Sequence, residues 1–199
     1  MGTNRLEAFS DGVIAVIITI MVLELKVPAD SSFAAMRALA PEFLSYLLSF
    51  LVVAIMWVNH HHMIHSARWA DARLLWSNNL LLFWMSLVPF VTAFMGNHSR
   101  DPRAVALYGV VLTLCSLSFV LLRSAIIGHH LENPEMVQYH RSIQAKNLYS
   151  LLLYSSAAPL AFVDVRISFA IFVFVAVSYF VPERKLEAKS TKQSVAGPR

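Results

Sequence analysis

Six apolar runs dominate this 199-residue chain, and each is close to the length of a helix that crosses a lipid bilayer. A transmembrane helix needs roughly 20 mainly apolar residues, within a range of about 17 to 25. The runs cover approximately 8–27, 41–62, 74–96, 104–127, 146–163 and 166–182. Only Asp164, Val165 and Arg166 separate the last two, a spacing that predicts a tight helical hairpin. We therefore expect an all-α integral membrane protein with six transmembrane helices.

The composition excludes an ordinary soluble domain. Only 14% of the residues are charged and 57% are hydrophobic, whereas soluble domains carry about 25% charged residues. Too few charges are present to cover the surface of a water-soluble protein. The chain is expected to consist of a six-helix transmembrane domain over residues 1–182 and a basic, disordered tail over residues 183–199.

The positions of Lys and Arg predict the orientation. Six spans place both termini on one side of the membrane, and that side receives eleven of the 16 basic residues, five of them in the tail. By the positive-inside rule, both termini of this multi-pass protein are expected in the cytoplasm, with the spans in the cell membrane. Because the basic residues lie between and after the apolar runs, they indicate membrane topology, and no nucleic-acid partner is expected.

Two local signals add detail to this plan. The linker over residues 29–40 has Phe33, Met36 and Leu39 near one helical face, which predicts a short surface helix. Pro89 lies inside the third run, and a proline there predicts a kink in the helix.

The first run has a polar start. Asp11 lies at its edge, where a carboxylate is costly unless it is paired or faces water. Two interpretations stay open from the residues alone. Asp11 and Ser10 can stabilise a helix N-terminus through its unpaired N–H groups and its dipole. They can also belong to a structural polar network beside an aqueous vestibule.

A regular stripe follows that polar start. Gly12, Val16, Thr19 and Leu23 recur at i, i+4, i+7 and i+11, so they share one face of a helix, and Ile20 lies close to it. In an arbitrary transmembrane helix such a face is most often a packing surface. Periodicity alone therefore leaves packing and pore lining both open.

Several spaced motifs indicate a family. The chain resembles the bacterial branch of the endolysosomal potassium channel family (transmembrane protein 175) in Arg5-x-x-x-Phe9-Ser10-Asp11 followed by Gly-Val-x-Ala-x-x-Ile-Thr. The resemblance continues in Trp57-x-x-His60-His61, Leu74-Leu75-Trp76-x-Asn78-Asn79 and Pro89-Phe90-x-Thr92. It covers the first three predicted spans well, whereas the later spans match mainly in number and length.

The resemblance implies a homotetramer in which four copies of the first helix line a central pore. It places aliphatic rings at Val16 and near Leu23 and a threonine ring at Thr19, with Ile20 beside them. It implies a potassium-permeable, modestly selective cation channel for monovalent cations, with potassium ions as the permeant species and no cofactor. Glu24 is either a source of negative potential at the outer mouth or a glutamate that reaches the membrane interface.

Physical chemistry agrees with that arrangement. A ring of aliphatic side chains resists ions because water leaves the narrow space that the ring encloses. Threonine hydroxyls, in contrast, can replace part of the water shell of an ion. Ile17 and Ile18, which are off the stripe, are expected to face lipid.

Histidines cluster at the end of the second run, in His60-His61-His62-x-x-His65. His61 and His65 have an i, i+4 spacing that can hold a metal, but an interfacial polar helix end explains them as well, and no metal is expected. The resemblance implies that His60 or His61, with Asn78 or Asn79, joins Arg5, Phe9, Ser10 and Asp11 in a structural polar network. The residues do not decide between the neighbours.

An enzyme is not expected. The chain contains no glycine-rich nucleotide-binding, Walker or nucleophile-elbow pattern, and no paired carboxylates occur at helical spacing inside the spans. The alternatives to a channel are a secondary, proton-coupled transporter that uses Asp11 and the histidines as a relay, and a histidine-ligated membrane metalloprotein.

Overall fold

The computed structural model describes residues 2–28 and 30–179, and these residues form eight α-helices. They are α1 (Thr3–Leu23), α2 (Phe33–Ala38), α3 (Ala40–His65), α4 (Ala72–Ser86), α5 (Val88–Asn97), α6 (Pro102–Gly128), α7 (Pro134–Leu160) and α8 (Val165–Ser178). The predicted tail over residues 183–199 and the end of the sixth run lie outside the described residues.

Four of the predicted spans are confirmed as helical segments that are long and apolar enough to cross a membrane. They are α1, α3, the combined segment α4–α5 over Ala72–Asn97, and α6. The remaining two runs correspond to α7 and α8. α8 is an apolar helix of 14 residues, shorter than the usual length of a span, and α7 is long but polar in its first half.

The start of α7 differs from the prediction. The apolar run begins near residue 146, whereas the helix begins at Pro134. Asn133 caps it by accepting a hydrogen bond from the N–H of Met136, and Pro134 occupies the first helical position, where its missing N–H costs nothing. A hydropathy pattern indicates only the apolar part of a helix, so it does not predict the polar residues by which α7 extends beyond the apolar layer.

Two local predictions are confirmed. α4 and α5 meet at Leu87, two residues before Pro89, because proline cannot donate the helical N–H bond and its ring crowds the preceding turn. The linker helix is α2, whose N-terminus is capped by Ser32. Phe33 and Met36 on it are exposed.

α6 lies at the centre of the bundle. It packs against α4, α5, α7 and α8, most extensively against α7. Its buried side chains include Tyr108, Leu112, Cys115 and Leu122. α1 lies at the periphery and packs on α3, α4 and α5, so only part of its surface is covered by the rest of the chain.

Contacts between loops define the two ends of the bundle. His129 Nε2 donates to the Asp71 carboxylate at 3.0 Å, and His130 Nε2 donates to the Ser66 carbonyl at 2.8 Å. These bonds join the loop after α6 to the loop between α3 and α4, at the end where α1 begins. We call this the N-terminal end. Lys26 Nζ donates to Asn97 Oδ1 at the opposite end.

Candidate functional site

The stripe on α1 faces away from the rest of the subunit. Val16 is 56% exposed, Ile20 42% and Leu23 76%, and Gly12 and Thr19 are exposed as well. A Cβ added at Gly12 would contact nothing within 4 Å. A mostly apolar face is thus left uncovered along the whole length of the helix.

The opposite face of α1 is buried. It consists of Leu6, Ser10, Ile14, Ile17 and Met21, which recur at i+3 and i+4 and pack into the core. The expectation that Ile17 faces lipid is wrong, since it is only 3% exposed, and Ile18 is half-buried against the core. Isoleucine suits lipid and protein interior equally, so apolar character did not distinguish the two faces.

Thr19 has a hydroxyl geometry suited to cations. Its Oγ1 donates to the Ala15 carbonyl one turn earlier at 2.9 Å. The proton is therefore held by the helix backbone, while the lone pairs of the exposed oxygen stay available as acceptors. Glu24 follows Leu23 as the C-cap of α1 and is exposed.

A buried polar network ties α1 to α3 and α4. Asn78 Oδ1 accepts from His60 Nε2 at 2.7 Å, and Asn78 Nδ2 donates to Ser10 Oγ at 3.0 Å. Ser10 Oγ in turn donates to the Leu6 carbonyl at 2.8 Å. Ser10, His60 and Asn78 are fully buried, so each bond replaces water that cannot reach these groups. Of the neighbouring pairs left open by the sequence, the structure joins His60 and Asn78 to Ser10.

Two further pairs link α1 to α3 outside that network. Trp57 Nε1 donates to Asp11 Oδ1 at 2.8 Å, and His61 Nδ1 contacts Glu7 Oε1 at 2.8 Å. The sequence contained a signal for both pairs, because Glu7 and Asp11 lie one turn apart on one helix and Trp57 and His61 lie one turn apart on the other. Neither Trp57 nor Glu7 was among the predicted members of the polar network.

The structure does not bring the other motif residues into these contacts. Arg5, Phe9 and Asn79 are exposed and form no hydrogen bond with side chains of the described residues. The rings of His61 and His65 are tilted by 41° relative to each other, with their centroids 5.2 Å apart. Within residues 2–28 and 30–179, no group of three or more His, Cys, Asp or Glu side chains is arranged to hold a metal ion.

Comparisons with known proteins cover the whole described region. A family model described as "Endosomal/lysosomal potassium channel TMEM175" matches residues 5–89. A potassium channel of Chryseobacterium sp. (strain P1-3) is 38% identical over 194 residues, which cover 98% of this chain and 100% of that relative. The endosomal/lysosomal proton channel TMEM175 of Rattus norvegicus is 28% identical over 179 residues, covering 81% of this chain and 36% of that protein.

A solved structure extends the similarity to the fold. The crystal structure of a lysosomal potassium-selective channel TMEM175 homolog from Chamaesiphon minutus superposes with a TM-score of 0.70 at 28% identity, covering 89% of this chain and 95% of that chain. The similarity therefore includes α6, α7 and α8, which lie beyond the residues matched by the family model.

Proposed function

This chain belongs to the TMEM175 channel family, and from that membership we propose that it forms a potassium-permeable, modestly selective cation channel. The channel is a homotetramer of six-span subunits in the cell membrane, with α7 and α8 as the fifth and sixth spans. Both termini are cytoplasmic, so the N-terminal end of the bundle is the inner end. Four copies of α1 surround the pore.

The observation that carries this proposal is the uncovered stripe on α1. The helix packs on its own subunit through one face only, and Val16 and Leu23 on the other face are more than half exposed. In a bilayer an apolar face contacts lipid or another subunit, and membership of a channel family supports the second, with copies of this face meeting around an axis. The single threonine within it supplies the oxygen that a pore for cations needs.

Each side chain of the stripe has a distinct part in conduction. Rings of Val16 and Leu23 exclude water and set the energy barrier, which depends steeply on their radius. A ring of Thr19 between them presents oxygen lone pairs, since each hydroxyl proton is held by the Ala15 carbonyl. Ile20 lines the same narrow zone, and Glu24 lies at the outer mouth, where its charge attracts cations.

The polar contacts at the start of α1 fix its rotation. Ser10 binds Asn78 on the buried side, while Asp11 and Glu7 bind Trp57 and His61. A rotation of the helix by one residue, roughly 100°, would break all of these bonds together. The network therefore holds the stripe toward the axis, and Arg5 and Phe9 on the exposed side are available to a neighbouring subunit.

Recording from purified protein in planar bilayers tests the proposal. We expect discrete single-channel current steps, with a reversal potential displaced toward that of potassium under opposed potassium and sodium gradients. The particle in detergent should have four times the subunit mass of 22.3 kDa. A monomeric particle, or slow saturable flux without current steps, would reject the channel in favour of a transporter.

A further inference from the structure

An open groove lies between α6 and α7, and none of its lining residues belongs to α1. It has a volume of about 390 Å³. Its lining residues are Ser124, Ile127, Arg141, Gln144, Ala145 and Leu148. The groove combines a cation, two uncharged polar groups and an apolar floor, and the proposed conduction pathway uses none of them.

The polar part of the groove lies at the boundary between hydrocarbon and headgroups. Arg141 precedes Leu160, the end of α7, by nineteen residues, or about 29 Å along the helix. Ser124 follows Pro102, the start of α6, by about 33 Å on the same measure. The hydrocarbon layer is about 30 Å thick, so both residues reach its inner edge, where lipid phosphates begin.

Arg141 is the available cation in this region. It is exposed, and neither of the ion pairs among the described residues involves it. Two nearby basic side chains are already engaged, since Lys146 Nζ lies 4.6 Å from the centre of the Tyr179 ring and Arg123 is buried against His140. A guanidinium at this depth presents a fork of donors that matches a phosphate.

Gln144 supplies a second, independent feature. Its Nε2 donates to Ser124 Oγ at 3.3 Å, which fixes the amide and leaves Oε1 buried with no hydrogen-bond partner in the part of the chain that the structure describes. A buried acceptor without a donor costs about 1–3 kcal/mol. A donor reaches Oε1 when the Gln144 side chain, which lines the groove, turns its amide toward it.

We propose that this groove binds the headgroup of an anionic phospholipid. Arg141 donates to the phosphate, and a hydroxyl of the headgroup donates to Gln144 Oε1 after the amide turns toward the groove. Ala145 and Leu148 continue the groove toward the membrane centre and contact the first part of an acyl chain. Phosphatidylglycerol has both a net negative charge and hydroxyl donors and is the probe of choice, whereas phosphatidylcholine has no net charge and no hydroxyl on its headgroup.

Native mass spectrometry of the purified protein tests this site. The protein is incubated in detergent with equal amounts of phosphatidylglycerol and phosphatidylcholine, and the retained lipids are counted. Wild-type protein should retain phosphatidylglycerol in preference, and Arg141→Gln should lower that preference about tenfold, the size of one charge-assisted hydrogen bond. Gln144→Leu should lower it about threefold. Arg141→Lys should restore part of it.

Arg73→Gln is the matched control. Arg73 is an exposed arginine in the first turn of α4, at the same end of the bundle but outside the groove. An equal loss in Arg73→Gln would mean that general surface charge attracts the lipid and would overturn the site. Displacement of the lipid by millimolar inorganic phosphate would indicate a site for free anions, and equal retention of both lipids by the wild type would also refute the proposal.

Discussion

Replacement of Asn78 by alanine tests the polar network that holds α1. Asn78 is fully buried and bridges Ser10 and His60 with bonds of 3.0 and 2.7 Å. In Asn78→Ala, Ser10 keeps its bond to the Leu6 carbonyl, so its hydroxyl proton remains paired. The Nε2–H of His60 loses its acceptor and has no water to replace it.

The magnitude follows from those contacts. Hydrogen bonds between membrane helices contribute about 0.6–2 kcal/mol, and a stranded buried donor costs about 1–3 kcal/mol. One stranded donor predicts a loss of about 2 kcal/mol in the free energy of unfolding. Because Asn78→Ala already leaves His60 without its acceptor, His60→Ala should lower the free energy of unfolding less in the Asn78→Ala background than in the wild type. The difference, which is the coupling energy of the pair, should be about 1 kcal/mol.

Denaturation of the purified protein in mixed micelles, followed by circular dichroism, measures these changes. Asn79→Ala is the control, because Asn79 is the next residue on the same helix but is exposed. Its effect should stay within about 0.5 kcal/mol. Equal destabilisation by Asn78→Ala and Asn79→Ala, or additive effects of the substitutions at Asn78 and His60, would mean that the buried network does not stabilise the helix bundle.

Two further predictions concern the same end of the bundle, and a third concerns the topology. Asp11→Ala should reduce the yield of the proposed tetramer by removing the hydrogen bond from the exposed Trp57 Nε1, at a cost of about 1 kcal/mol, and Arg5→Ala should cost less. A changed ion preference with normal assembly would instead make Asp11 a pore residue. Hydrogen bonds from the Leu74 N–H and His129 lower the pKa of Asp71 below its ordinary value of 3.8. The stability that the ionised carboxylate contributes is therefore present above pH 3.8 and is lost as the pH falls through the lowered pKa. The melting temperature of Asp71→Asn should accordingly fall less in acid than that of the wild type. Single cysteines at position 190 and in the loop over residues 97–103 should be labelled from opposite sides of the membrane, and labelling from one side would reject the topology.

The parts of the fold that depend on one helix at a time were predictable from the sequence. α3 and α6 begin and end within three residues of the apolar runs, because lipid requires an uninterrupted apolar helix. The break before Pro89 and the helix α2 follow from local backbone chemistry. The family resemblance, drawn from motifs in the first three spans, is confirmed by relatives that match almost the whole chain.

The parts that depend on facing helices were less predictable. Hydropathy does not separate Ile17, which packs in the core, from Val16, which is exposed beside it. The choice of His60 and Asn78 over their neighbours depends on the rotation of α3 and α4 about their axes. The pair of Glu7 with His61 becomes visible only when α1 and α3 are known to be adjacent.

The central claim is that the exposed stripe of α1 lines the pore, and substitution at Val16 tests it most directly. Val16→Asn and the matched control Val22→Asn introduce the same side chain at two exposed positions, and Val22 lies roughly 120° around α1 from Val16. Currents under opposed potassium and sodium gradients are recorded from both variants in planar bilayers. A polar ring at Val16 should hydrate the narrow zone, so Val16→Asn raises the cation current and weakens the preference for potassium, whereas Val22→Asn leaves both unchanged. Equal behaviour of the two variants would contradict the account, since the stripe would then face something other than the conduction pathway.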